Sequence, residues 1–186
     1  MVVLRDKRDR LINAAKAVFY RQGVDRTTLA DVASESGVPL GNVYYYFKSK
    51  ADLVAAVISA RGAETFEMFR TCLSEPTPKG RLVAVLNVLK QQAESLAEKG
   101  CPIGTLCLEL GKMPSGLAEQ ADTLLKRQVD WVAAQFTEMG ARDPKEMAMR
   151  MVAELQGIAT LAKVYRDPNV ARQSIDRMIK WVESVR

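Results

Sequence analysis

Apolar positions along this chain recur at helical spacing, and the strict alternation of a strand is absent. From Arg8 to Gln22, the residues Leu11, Ile12, Ala15, Val18 and Phe19 fall on one face of a 3.6-residue period. Gly23 then closes the segment as a C′ residue. The run "TLAD" (Thr28 to Asp31) is a capping-box signature that opens a short helix through Val32, Ala33 and Glu35. "SGVP" (Ser36 to Pro39) reads as a tight turn, with Pro39 placed to begin the next helix. A second capping box, "SKAD" (Ser49 to Asp52), launches a long helix towards Leu73.

"EPTPKG" (Glu75 to Gly80) is the clearest linker. A helix follows from Gly80 to Lys99, with Leu82, Val85, Leu86 and Leu89 on one stripe. "GCPIG" interrupts the pattern and leads into a short segment ending near "KMPSG". A long helix is expected from Ser115 to Met139. Asp143 with Pro144, and Asp167 with Pro168, start the last two helices, which reach Tyr165 and Arg186. The pattern predicts an all-α fold of about nine helices.

The last two helices carry wide apolar surfaces. Met147, Met151, Leu155, Ile158, Ala162 and Tyr165 recur on the first. Ile175, Met178, Ile179, Val182 and Val185 recur on the second, with Trp181 beside them. Packing within one chain explains such stripes, but so much apolar surface at the end of a small domain favours a homodimer seam. Met151, Leu155, Ile158, Ala162, Ile175, Met178, Ile179 and Val182 are the expected contact residues.

Composition narrows the function. The chain has no histidine, and its three cysteines, Cys72, Cys101 and Cys107, form neither a CxxC pair nor an even set. A zinc site, a disulfide framework and His-dependent catalysis are all disfavoured, so no metal, no cofactor and no enzymatic activity are expected. "MVVLRDKRDRL" is charged by its fifth residue, and the longest apolar run, "LVAAVISA", is too short to span a bilayer. An intracellular, cytoplasmic protein with no membrane association is expected. The net charge of +5 is concentrated at one end: residues 1–50 hold nine Lys/Arg against five Asp/Glu. That field suits a polyanion, and nucleic acid is the first candidate beside a solvated basic arm.

"TTLADVASESGVPLGNVYYYF" gives the charge a structure. A short helix, a glycine-containing turn and a second short helix form the spacing of a helix-turn-helix, whose second helix enters the major groove of DNA. Val43 and Phe47, one turn apart, belong to the core with Val32 and Ala33. Gly41 and Tyr45 lie opposite, flanked by Asn42 and Tyr44, while Tyr46 stands nearer the core flank. Glycine inside a helix costs about 1 kcal/mol against alanine, and close approach to DNA compensates. Asn42 suits adenine, and tyrosine hydroxyls and Lys50 suit phosphate oxygens.

Residues 8–53 resemble the DNA-binding domain of the TetR family of bacterial transcriptional repressors, the matching run being "LINAAKAVFYRQGVDRTTLADVASESGVPLGNVYYYFKSKADLV". The G-x-x-x-T-T segment, the A-x-x-x-G-V turn, and the aromatic run ending in Phe47 ahead of K-x-x-L carry the resemblance. It implies a three-helix DNA-binding domain over residues 1–48 and a helical ligand-binding and dimerisation domain over 49–186. It further implies an intracellular homodimer on a palindromic, double-stranded operator, released by a small-molecule inducer. Phosphate contacts are implied for Thr28, Tyr45, Tyr46 and Lys50, and base contacts for Gly41, Asn42 and Tyr44. Pro39 and Leu40 depart from the small polar or basic pair common in the family. Leu40 either touches a thymine methyl or joins the Val43–Phe47 cluster.

In the C-terminal part, Phe66, Phe69, Cys101, Leu106, Met113, Trp131 and Phe136 are the candidate lining of an apolar inducer cavity, with ordinary core packing as the alternative. Few charges break the internal stripes, so a mostly apolar inducer is expected, and Glu109 is a candidate contact for a cationic one. A Gly-Cys-x-x-Gly stretch like that at Gly100–Gly104 is similar to one in a subgroup of the family with cysteine-based sensors. Cys101 is therefore either a thiol sensor of electrophiles or oxidants, or a buried small hydrophobe. Activation of transcription is the alternative to repression.

Overall fold

The structure is a computed structural model and describes residues 2–112 and 116–185. Among these residues there is no strand, and ten helical segments follow one another. They are α1 (Val2–Gln22), α2 (Leu29–Ser36), α3 (Leu40–Tyr46), α4 (Lys50–Cys72) and α5 (Pro78–Gln91). The second half holds α6 (Ala93–Lys99), α7 (Pro102–Leu110), α8 (Leu117–Glu138), α9 (Pro144–Tyr165) and α10 (Pro168–Ser184). The one helix expected over Gly80–Lys99 is two, parted at Gln92, whose backbone sits at φ −92°, ψ 13°. That break lets Leu82 and Leu86 of α5 and the small Ala93 and Ala97 of α6 all become buried.

The caps explain where the helices begin. Thr28 Oγ1 accepts from the Asp31 amide at 3.2 Å, and the Asp31 carboxylate accepts from the Thr28 amide at 2.8 Å. Ser49 and Asp52 repeat the arrangement at 3.1 and 3.0 Å. Each such box contributes about 1 kcal/mol. Asp167 caps α10 through the Asn169 amide at 2.8 Å. Asp143 occupies the same position before α9, but its carboxylate bonds no amide of the first turn. Its backbone departs from the extended geometry seen at Thr28 and Asp167.

The chain divides into two compact units, Met1–Ala63 with Thr105–Leu124, and Glu64–Gly104 with Leu125–Arg186. In the first, α1 packs on α2 and α2 on α3. Leu11, Ala15, Val18 and Phe19 of α1 are buried, as are Val32 and Ala33 of α2, and Val43 and Phe47 at α3. Leu53, Val57 and Ile58 of α4 are buried as well.

The second unit has a continuous core drawn from α5, α6, α8, α9 and α10. Phe136 at its centre is fully buried and lies against Trp181, ring centroids 5.8 Å apart. Ion pairs tie α10 to its neighbours: Lys90 meets Asp176 at 2.6 Å, and Arg172 meets Glu94. Lys79, in the first turn of α5, donates to the carbonyls of Glu183 and Val185 and so caps the end of α10.

The core corrects the expected dimer seam. Met151, Ile158, Ala162, Ile175, Met178 and Val182 are all no more than 5% exposed within the single chain. Side chains already buried have no surface left to offer a second copy. Only Leu155 and Ile179 of that set remain partly exposed. The exposed apolar side of α9 is another face: Met149, Leu161, Val164 and Tyr165 are each more than half exposed. Ala153 and Gly157 lie between them at four-residue steps, both exposed.

Candidate nucleic-acid interface

The α2–α3 pair is built around two fixed points. Gly37 ends α2 at φ 65°, ψ 20°, the left-handed conformation that glycine adopts without a Cβ penalty. Arg10 of α1 donates to the Ser36 carbonyl at 2.7 Å, which holds the end of α2 from the side. Pro39 then supplies the N-cap of α3, its carbonyl accepting from Asn42 and Val43 at 2.8 and 3.2 Å. Pro39 thus stands one place before the first helical residue.

Seven residues make two turns, and burial sorts them cleanly. Val43 is fully buried and Phe47, just past the helix, is 2% exposed. Arg8 of α1 lies over the Phe47 ring, 5.4 Å from its centroid. The remaining positions face outward. Tyr44 is 50% and Tyr45 65% exposed, while Gly41 and Asn42 are exposed beside them. Tyr46 is half-buried and meets Tyr45 edge-on at 5.0 Å, which holds both rings in place.

Placement bears on Leu40 and on Gly41. Leu40 is 40% exposed, so it belongs with the outward face rather than with Val43 and Phe47. A Cβ on Gly41 would meet nothing within 4 Å. No intramolecular contact therefore calls for glycine there.

Cations frame this face. Lys48, to which the sequence reading assigns no contact, is exposed and donates to the Tyr44 carbonyl at 3.1 Å. Its ammonium keeps two further donors for a phosphate. The "FKSK" run was the available signal. Lys50 is half-buried, and its ammonium donates to the Asp25 carbonyl at 2.8 Å, likewise leaving two donors. Thr28 is exposed but has its hydroxyl committed to Asp31 at 2.8 Å. The hydrogen bonds from the Thr28 amide and hydroxyl hold the Asp31 carboxyl below its ordinary value.

The residues expected to line an inducer cavity are scattered in character. Phe66 is 69% exposed. Phe69 is buried and stacks on Trp131 with centroids 4.3 Å apart, while Phe136 sits in the central core of the same unit. Leu106 is 5% exposed, Cys101 is half-buried, and Met113 lies outside the described residues. Within the second unit a cavity of about 560 Å³ is lined by Glu94, Ala97, Glu98, Lys163, Arg166 and Pro168, none of them in the expected set. Glu109 is not turned to a ligand: its carboxylate accepts from the Val24 amide at 2.5 Å. No helix among the described residues is long and apolar enough to cross a membrane.

Comparison with known proteins agrees with this geometry. Residues 11–57 match the family described as bacterial regulatory proteins, tetR family. Residues 78–175 match that described as transcriptional regulator LmrA/YxaF-like, C-terminal domain. An uncharacterized HTH-type transcriptional regulator in the lacX 3′ region of Lactococcus lactis is 25% identical over 98% of this chain and 96% of its own. The HTH-type transcriptional regulator TtgR of Pseudomonas putida is 45% identical over 56 residues, 30% of this chain and 27% of that one. A TetR transcriptional regulator from Chloroflexus aurantiacus superposes with a TM-score of 0.87 at 20% identity, covering 100% of this chain and 98% of the other. With its outward α3 face, its helix-turn-helix caps and a family match across both parts, this chain belongs to the TetR family of bacterial transcriptional regulators, not to a family of enzymes.

Proposed function

We propose that the protein is a dimeric, ligand-responsive repressor that binds a palindromic operator in the cytoplasm through α3. The observation that carries this reading is the division of one short helix. Val43 and Phe47 are buried, while Leu40, Gly41, Asn42, Tyr44 and Tyr45 form one outward face bordered by Lys48 and Lys50. Asn42 reads a base edge, Leu40 meets a thymine methyl, Gly41 lets the backbone approach, and the tyrosine hydroxyls and lysines meet phosphates. Dimerisation uses the exposed face of α9, where Ala153 and Gly157 let two helices approach closely. A Cβ on Gly157 would meet nothing within 4 Å. Two-fold symmetry of the protein is then mirrored in the operator.

The inducer is a small, mostly apolar molecule held in the second unit. It releases DNA by preferring the non-binding conformation; a hundredfold change in operator affinity needs about 2.7 kcal/mol of preference. The test is a salt titration of binding to a random-sequence duplex. Steep salt dependence is expected, and salt-insensitive or absent binding contradicts the reading.

A second reading rests on one contact. Cys101 immediately precedes α7, and its sulfur accepts from the Gly104 amide at 3.4 Å. That contact sets the sulfur at the first turn of the helix, where an incoming electrophile would meet it. Cys72, by contrast, is 5% exposed, and burial, reinforced by the Glu75 carboxylate, pushes its thiol up. Under this reading a mild electrophile releases DNA from the parent and not from Cys101→Ser. Equal release from both removes it.

A further inference from the structure

The turn between α1 and α2 is held by a side chain remote from it in sequence. Gly23 leaves α1 at φ +88°, and the next amide, that of Val24, donates to Glu109 Oε2 of α7 at 2.5 Å. A Cβ on Gly23 would meet the two carboxylate oxygens at 3.2 and 3.3 Å, so the carboxylate lies against the glycine's open side. Gly23 therefore serves two ends: it takes the left-handed turn, and it leaves room for Glu109.

The same turn is secured at two other points. Lys50 bonds the Asp25 carbonyl at 2.8 Å, and the buried Thr27 hydroxyl bonds the Gly23 carbonyl at 2.6 Å. Thr28, the N-cap of α2, follows directly. Of these bonds, the one to Glu109 alone links the turn to α7. Val24 as a whole is 1% exposed, so its amide has little water to replace a lost acceptor.

We infer that Glu109 is a positioning residue for DNA binding: from α7 it sets where α2, and with it Thr28 and α3, stands against the phosphate backbone. The inference rests on the DNA-binding reading above. Removing the carboxylate frees the turn, and α2 enters the complex from a wider range of positions. Lys50, whose ammonium is bonded to the same turn, then loses its fixed place at a phosphate, with no residue of the α3 face altered.

The experiment uses the full chain and a duplex selected by the parent from a random pool. Parent, Glu109→Ala, Glu109→Met and Glu109→Gln are compared for affinity, salt slope and melting temperature. Loss of an acceptor for a poorly solvated amide predicts about a tenfold weaker complex for the alanine and methionine variants. Their salt slopes fall by roughly one phosphate. Glutamine, whose amide oxygen still accepts from Val24, stays near the parent. Methionine keeps the length and bulk of the side chain, so it remains readable if alanine does not fold. Binding within twofold of the parent and an unchanged salt slope in a folded alanine or methionine variant overturns the inference. So does a glutamine variant as weak as alanine, or loss of fold in both alanine and methionine, which would make the contact structural only. Failure of the parent itself to bind any duplex would instead remove the DNA-binding reading.

Discussion

The Lys50 ammonium, in the first turn of α4, donates to the backbone carbonyl of Asp25 at 2.8 Å, so a residue expected at the DNA backbone also braces the turn ahead of α2. One donor is spent inside the protein and two remain for phosphate. Lys50→Ala should therefore weaken binding to every duplex by a similar factor and reduce the salt slope by about one. Anisotropy titrations across salt, on selected and unrelated duplexes, check this. A loss confined to the selected duplex would assign Lys50 to base readout instead.

Asn42 has the opposite expectation. It is exposed in the first turns of α3, between Leu40 and Tyr44. A bidentate contact to adenine carries about 1–3 kcal/mol of discrimination. Asn42→Ala should lose that much on the selected duplex, keep its affinity for unrelated DNA, and retain the parent's salt slope. Competition titrations give the ratio directly.

Acid should loosen α2 first at its cap. Asp31 has its pKa lowered, chiefly by the Thr28 amide and then by the Thr28 hydroxyl. A depressed carboxyl contributes stability above its unfolded value, and that contribution disappears as pH falls through the folded value. The parent should therefore be more stable than Asp31→Asn at neutral pH, and the gap should close below the ordinary aspartate value of 3.8. Urea melts of the two proteins at a series of pH values measure the gap. A constant gap would contradict the linkage.

Helix boundaries and the α3 face were legible because both depend on local chemistry. The Thr28–Asp31 and Ser49–Asp52 boxes satisfy amides within four residues, and Val43 and Phe47 are buried by a period that the sequence displays. The role of the last two helices was not legible in the same way. Met151, Ile158, Ile175 and Met178 look the same whether their stripe faces a second copy or the chain's own Phe136. Periodicity identifies an apolar face but not its occupant. Of the outward residues of α9, Met149, Leu161 and Val164 lie off that stripe, and Tyr165 lies on it. Glu109 was illegible for a related reason: its partner is the amide of Val24, 85 residues away, and backbone groups leave no mark on composition.

The α9 face can be separated from the core by two substitutions. Val164 is 70% exposed, and Val164→Glu should turn a dimer into a monomer by placing a charge in the apolar contact, while the helical content stays unchanged. Met178 is 1% exposed, and Met178→Ala should cost about 2–5 kcal/mol of stability through the cavity it leaves. Sedimentation velocity and chemical denaturation read the two effects. A Val164→Glu protein that remains dimeric would move the seam elsewhere.

The central claim, that the outward face of α3 addresses DNA from a two-fold dimer, is tested most directly by selecting duplexes from a random pool with the full chain and sequencing the survivors. The account predicts one enriched motif, symmetric about its centre, that Asn42→Ala no longer enriches. A pool that stays random, or an enriched motif without two-fold symmetry that Asn42→Ala selects equally well, would contradict it.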